Sequence, residues 1–179
     1  MTTLALTRLT ALTILLSIAV VTDVRERRIP NRLTLSGGLL GIVLGALAVG
    51  GFPVSSLAGA AVALIVAFPF FALGGLGAGD AKLLAMVGTF VGPAGLLPVV
   101  LYGGIAGGLL ALGSSLRRGT IIPLLLRSRD LCVYLVTFGS RGTRWSLDDP
   151  GAEAVPYGVA IAVGALGAWF FPIVMGGAS

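Results

Sequence analysis

Apolar segments close to membrane-spanning length recur along this chain with short breaks between them, and no other feature narrows the possible folds as much. A helix needs about 20 apolar residues to cross ~30 Å of hydrocarbon. Residues 4–22, 33–51, 55–74, 81–91, 96–112 and 155–174 are the segments that qualify, the fourth being shorter than the rest. Pro53, Pro93, Pro98 and Pro156 lie at or near the breaks, where a missing backbone donor costs least. Only 11% of the 179 residues are charged, against roughly 25% in a soluble domain, and the mean hydropathy is +1.05. The expected fold is therefore all-α: a single membrane-embedded domain over residues 1–179, with about six transmembrane helices and one larger polar loop at about 114–154.

Composition removes several chemistries. The chain has no His and one Cys, Cys132, so a Ser-His dyad, an HExxH zinc site, a CxxC pair and an internal disulfide are all excluded. No metal and no cofactor are expected. Cys132 reads as a small apolar side chain. The net charge of +5 and pI near 10.4 are values also met in nucleic-acid-binding domains. With no soluble basic domain to carry them, no nucleic-acid partner is expected, and arginines flanking membrane spans explain the charge better.

The positions of those arginines predict an orientation. Arg25, Arg27, Arg28 and Arg32 follow the first span, and Arg117, Arg118, Arg127, Arg129, Arg141 and Arg144 follow the fifth. The turns after spans two and four carry no charge. Both clusters are thus expected in the cytoplasm and the N-terminus outside, with Arg8 in dissent. Arg8, the apolar run and Ser17-Ile18-Ala19 superficially resemble a signal peptide. Cleavage there would remove a whole span, so the segment is read as an uncleaved helix. Gly37, Gly41 and Gly45, and likewise Gly103 and Gly107, recur at four-residue spacing, which lets helices approach closely. Packing inside the bundle is the expected use of these faces, with a mobile or dimerising face as the alternative.

Asp23 and Asp80 are the acids at span ends within reach of the membrane; Glu26, Asp130, Asp148, Asp149 and Glu153 lie in loops. Acids at membrane depth are functional candidates by default, and the orientation brings both to one side. Two carboxylates within hydrogen-bonding distance share a proton, so that one acts as base on a water and the other as acid toward a carbonyl. Structural alternatives stand beside this reading. Asp23 ends a span next to Arg25 and Arg27, and Asp80 caps the fourth helix, with Gly77 and Gly79 making the turn. Lys82 reads as a headgroup anchor, Pro30 as the entry to span two and Asn31 as its cap. From Asp80 to Val91 the fourth segment has 12 residues, about 18 Å of helix. If it stops at Gly92-Pro93, Asp80 is recessed below the cytoplasmic surface in a wet cavity.

Three elements occur in order and correctly placed against the spans: Asp23 followed by Ile29-Pro30-Asn31, Gly77-Ala78-Gly79-Asp80 followed by Lys82, and Pro156-Tyr157-Gly158. Gly-x-Gly-Asp alone occurs in many turns. Together the three resemble the type IV prepilin peptidase family, intramembrane aspartyl proteases of the GxGD type. Thr22 stands where presenilin-like relatives have Tyr. The resemblance implies cleavage of the leader from a pilin-like precursor, the partner substrate, just after a Gly on the cytoplasmic side of the inner membrane, in pilus biogenesis or secretion. It implies Asp23 and Asp80 as the catalytic pair, working without metal. Pro30, Asn31, Gly77, Gly79, Lys82, Pro156, Tyr157 and Gly158 are its supporting residues. Because the chain begins directly with span one and has a single Cys, the short, peptidase-only branch of the tight-adherence (Flp) pilus type is expected, without N-methylation.

Within 114–154, residues 121–126 and 131–138 suit an interfacial helix against membrane lipid, flanked by Arg127, Arg129 and Arg141. Asp148, Asp149 and Glu153 are candidates for recruiting a basic leader. Two rival readings remain open on the residues alone. One is a small ion-coupled transporter using the two acids, and the other a catalytically silent membrane subunit of pilus assembly.

Overall fold

A computed structural model describes residues 3–72, 75–137 and 157–170. Among them are no strands and six helices: α1 (Thr3–Glu26), α2 (Asn31–Val49), α3 (Val54–Ala72), α4 (Ala78–Arg118), α5 (Ile121–Val136) and α6 (Tyr157–Phe170). Each of α1 to α4 is long and apolar enough to cross a membrane. Large apolar side chains such as Leu35, Leu39, Ile65 and Phe68 stand exposed on them, as the outer surface of a lipid-embedded bundle requires. This is an all-α membrane protein.

At 41 residues, α4 would measure about 60 Å if straight, twice the hydrocarbon thickness. It is broken instead at Gly92, whose φ of 69° and ψ of 179° belong to a backbone region essentially reserved for glycine. Ser55 of α3 fills the space a side chain there would need, with its Oγ 2.6 Å from the position of a Cβ. Pro93 follows, with no amide to continue the ladder. Contacts along α6 show that the arms on either side of Gly92 run in opposite directions. Gly158, near the start of α6, touches Asp23 on α1; Ala160 lies beside Gly107 and Gly103, Gly164 beside Gly103 and Val99, and Gly167 beside Tyr102. From Ala160 to Gly164, one turn further from Asp23, the partners on α4 step back by four, from Gly107 and Gly103 to Gly103 and Val99. The second arm therefore returns toward the end of the bundle from which the first arm set out. The break expected at Gly92-Pro93 is where the structure turns.

The first arm is the centre of the bundle. Leu83, Met86, Val87 and Phe90 are fully buried, among Leu12 and Leu16 of α1, Ala63 and Ala67 of α3, and Ala162 and Ala165 of α6. Small residues make that density possible. Gly37 packs on Met86, Gly41 on Thr89 and Phe90, and Gly45 on Ser56 of α3. Where α3 crosses the first arm, the backbones of Gly59 and Gly88 press directly on each other. Both glycine faces noted in the sequence are thus spent on packing inside the molecule.

Arg8, which stood against the expected orientation, has an internal task. Its Nη2 donates to the carbonyl of Phe90, 2.5 Å away, at the last turn before the break. Carbonyls at a helix end lack intrahelical partners, and a cation there also meets the negative end of the helix dipole. In the polar loop, α5 runs without a break from the first of the two apolar runs into the second and ends at Val136; Phe138 lies outside the described residues. The loop itself begins later than 114, because α4 continues to Arg118 and is capped by Gly119 in a left-handed conformation. Ile122, Leu125 and Leu126 of α5 are exposed. The described part of the last helix, α6, is shorter than the 155–174 expected, and the remainder lies outside the described residues.

Gly88→Ala is expected to cost about 1–3 kcal/mol, read as a lower melting temperature in detergent, because its Cβ would meet the backbone of Gly59 and no rotamer change relieves that. Gly38→Ala is the control. Nothing lies within 4 Å of its Cβ position, so it is expected to be neutral or slightly stabilising.

Candidate active site

Four chain segments meet at the end of the bundle where α1 finishes and α4 begins. α1 does not stop at Asp23 but runs on to Glu26. The amide of Arg27 then donates to the carbonyl of Asp23 at 2.9 Å, with Arg27 in the left-handed region at φ 50°. The chain passes through buried Ile29 and enters α2 at Pro30. Pro30, not Asn31, is the N-cap, in an extended conformation at φ −62° and ψ 131°. Its carbonyl accepts from the amides of Leu33 and Thr34. Asn31 is the first helical residue, and its side chain makes no cap.

At the start of α4 the N-cap is Gly77, which corrects the reading of Asp80 as a cap. Asp80 is the third helical residue, and its carboxylate turns back onto the backbone of Gly77. An acid at the third helical position, close to the backbone of the cap residue, is the arrangement of the reciprocal half of a capping box. A Cβ on Gly77 would stand 2.9 Å from Asp80 Oδ2. One residue earlier in the helix, Gly79 gives room to the loop after α1: a Cβ there would lie 3.4 Å from Cβ of Ile29.

Asp23 is 8% exposed, and its Oδ2 accepts the backbone amide of Gly158 at 2.8 Å. That amide belongs to the first turn of α6, one of the donors a helix leaves free at its N-terminus. The positive end of the α6 dipole therefore faces the carboxylate. The fit is close: a Cβ on Gly158 would be 2.7 Å from Asp23 Oδ2. Among the described residues Asp23 forms no ion pair with Arg25 or Arg27, so it is not an interface charge held by its neighbours. Asp80 lies within electrostatic reach of Asp23, and the half-buried Tyr157 within reach of Asp80.

Lys82 also departs from its expected place. Its Nζ donates to Oδ1 of Asn31 at 2.9 Å, linking the first turns of α2 and α4. Ten residues were singled out in sequence as a catalytic pair and its supporting motif. The structure gathers nine of them at one end: Asp23, Pro30, Asn31, Gly77, Gly79, Asp80, Lys82, Tyr157 and Gly158. Pro156, Asp148, Asp149 and Glu153 lie outside the described residues. No group of three or more potential metal ligands occurs among the described residues. The Gly158 amide and the Lys82–Asn31 bond were not foreseen. Their one signal is a Gly at the start of an apolar helix and a polar residue at the start of each of two others.

Fold and site together define a polytopic helical membrane protein with two acids, supplied by separate helices, at one end of its bundle. A model of the type IV leader peptidase family matches residues 10–112, more than half of the chain and including both acids. The chain belongs to that family and is a peptidase. Among curated proteins and among solved structures, nothing matches.

Gly158→Ala is expected to lower peptidase activity about 10- to 100-fold by displacing Asp23, and Gly158→Val to lower it further. Gly104→Ala, with nothing within 4 Å of its Cβ position, is expected to match the wild type. Initial rates of precursor cleavage, with melting curves of each variant, provide the check.

Proposed function

We propose that the protein is an aspartyl prepilin peptidase, which hydrolyses the peptide bond joining a leader to the transmembrane segment of a pilin-like precursor. The observation that carries this reading is that Asp23 and Asp80, distant in sequence, come to the same end of the bundle, each against a glycine at a helix start. One carboxylate takes a proton from a water as its oxygen attacks the scissile carbonyl carbon. The other, carrying a proton, gives it to the carbonyl oxygen. The tetrahedral diol collapses when the first acid passes its proton to the leaving nitrogen and the second recovers one from a hydroxyl. Neither step calls on a metal or cofactor.

Charge supports a cytoplasmic location on the inner membrane. Arg25, Arg27, Arg28, Arg32 and Lys82 flank the acids, and the returning second arm of α4 ends in Arg117 and Arg118. The opposite end offers Arg8, which the Phe90 carbonyl occupies. An excess of Lys and Arg marks the cytoplasmic face. With the two arms of α4 as separate crossings, α1, α2, α3 and α6 complete a six-span bundle in contact with membrane lipid. Asp148, Asp149 and Glu153 are assigned to drawing in a basic leader.

The test is co-expression with a candidate pilin precursor and mass spectrometry of its N-terminus. Wild type is expected to remove the leader. Asp23→Asn and Asp80→Asn, each similar in shape but unable to exchange a proton, are each expected to leave it in place while inserting normally, and chelators to have no effect. Cleavage surviving either substitution would sink the dyad.

A further inference from the structure

We propose that Lys82 and Asn31 are a pair of positioning residues that set the separation of Asp23 and Asp80. This inference rests on the dyad reading above and asks what holds the two acids in register. Close backbone approaches between α1 and α4 are few, so much of what fixes the two acids relative to each other runs through other segments. The acids are held through intermediaries. On one side, α6 grips Asp23 through the amide of Gly158. On the other, the short loop that leaves α1 is laid across the first turn of α4, and that loop is attached at two points. Ile29 is buried against Gly79, and Asn31 accepts from Lys82.

Those two points bracket the acid. Asp80 lies between Gly79 and Lys82 in the chain, and Pro30, with its fixed φ, lies between Ile29 and Asn31. The loop is therefore attached on both sides of Asp80. At its other end the loop is tied to Asp23, whose carbonyl accepts the Arg27 amide. Lys82, two positions after Asp80, projects from a different face of the helix, so its ammonium is directed to the loop and not to the acid beside it in sequence. Asn31 and Lys82 are both exposed. A solvent-exposed hydrogen bond contributes little to global stability, whereas a displacement of about 1 Å between reacting groups costs up to about 100-fold in rate. A device of this kind acts on turnover while leaving the fold intact.

Lys82→Met removes the donor and keeps the length of the side chain. It is expected to lower kcat for precursor cleavage about tenfold with KM and melting temperature unchanged, and Asn31→Leu to do the same. Asn31→Asp keeps an acceptor for the ammonium and is expected to recover most of the kcat that Asn31→Leu loses. The double variant Lys82→Met/Asn31→Leu is expected to be no slower than the slower single, because both remove one interaction. Turnover equal to wild type in the single variants, a raised KM at constant kcat, or losses that multiply in the double variant would each overturn the pairing. Asp80→Asn is assayed alongside. If it still cleaves, the dyad reading itself falls; if it is silent while Lys82→Met and Asn31→Leu turn over normally, only the positioning role falls.

Discussion

In hydrocarbon every backbone polar group must find its partner within the protein, and the break at Gly92 is where this chain meets that demand most acutely. A glycine-only conformation followed by a proline interrupts the ladder inside a helix that is otherwise the most deeply buried of the bundle. The molecule answers from two other helices. Arg8 reaches across from α1 to the Phe90 carbonyl, and Ser55 of α3 occupies the side-chain space that glycine leaves. The consequence is architectural. By doubling back, α4 returns its second arm, the surface on which α6 packs, toward the end of the bundle where Asp23 and Asp80 lie.

Both carboxylates meet backbone at a helix start. Asp80 turns onto Gly77 at the head of its own helix, and Asp23 accepts an amide from the head of another. A carboxylate so placed lies at a favourable dipole end, and among the described residues neither acid forms an ion pair with a cationic side chain. For acid–base work this differs from an ion pair. An arginine in contact would hold an acid permanently as its anion, whereas one backbone donor leaves the other oxygen of each acid available to a water or a proton. The glycine at 158 is needed on steric grounds, since a Cβ there would press on Cβ, Cγ and Oδ2 of Asp23, whereas at Gly77 a side chain would meet only the movable carboxylate end of Asp80.

Much of this was legible in the sequence, because membrane helices are written as apolar runs and their breaks as glycine and proline. The turn at Gly92-Pro93 and the arrival of Asp23 and Asp80 at one end follow from local pattern and charge placement, while α4 runs on to Arg118, past the end that the apolar run alone suggests. The departures are long-range contacts. Asn31 has the chemistry of a cap, and local rules assign it one, but Pro30 already holds that position and Asn31 is free to accept from Lys82. Lys82 has the chemistry of a headgroup anchor, and only the approach of α2 gives it a specific acceptor. Arg8 reads as a topological anomaly until α4 is seen to break beside it. In each case the residue type announced a polar need, and the fold decided which distant group met it.

The same distinction divides the site into two parts by sequence position. The stretch matching the family, residues 10–112, holds both acids, the loop that spans them and the break that brings α4 back. The donor to Asp23 comes from Gly158, 135 residues further along the chain. Membrane helices insert and then associate, so Asp23 receives that amide only when α6 has docked against α1 and the second arm of α4. Docking of α6 also brings Tyr157 within reach of Asp80, so the last described helix completes the surroundings of both acids at once. Its interface is built for close approach, with Gly164 against Val99 and Gly103, because a helix that positions a carboxylate through its own backbone must lie within a hydrogen bond's length of it. The glycines of α6 and the acid on α1 are in that sense parts of one device.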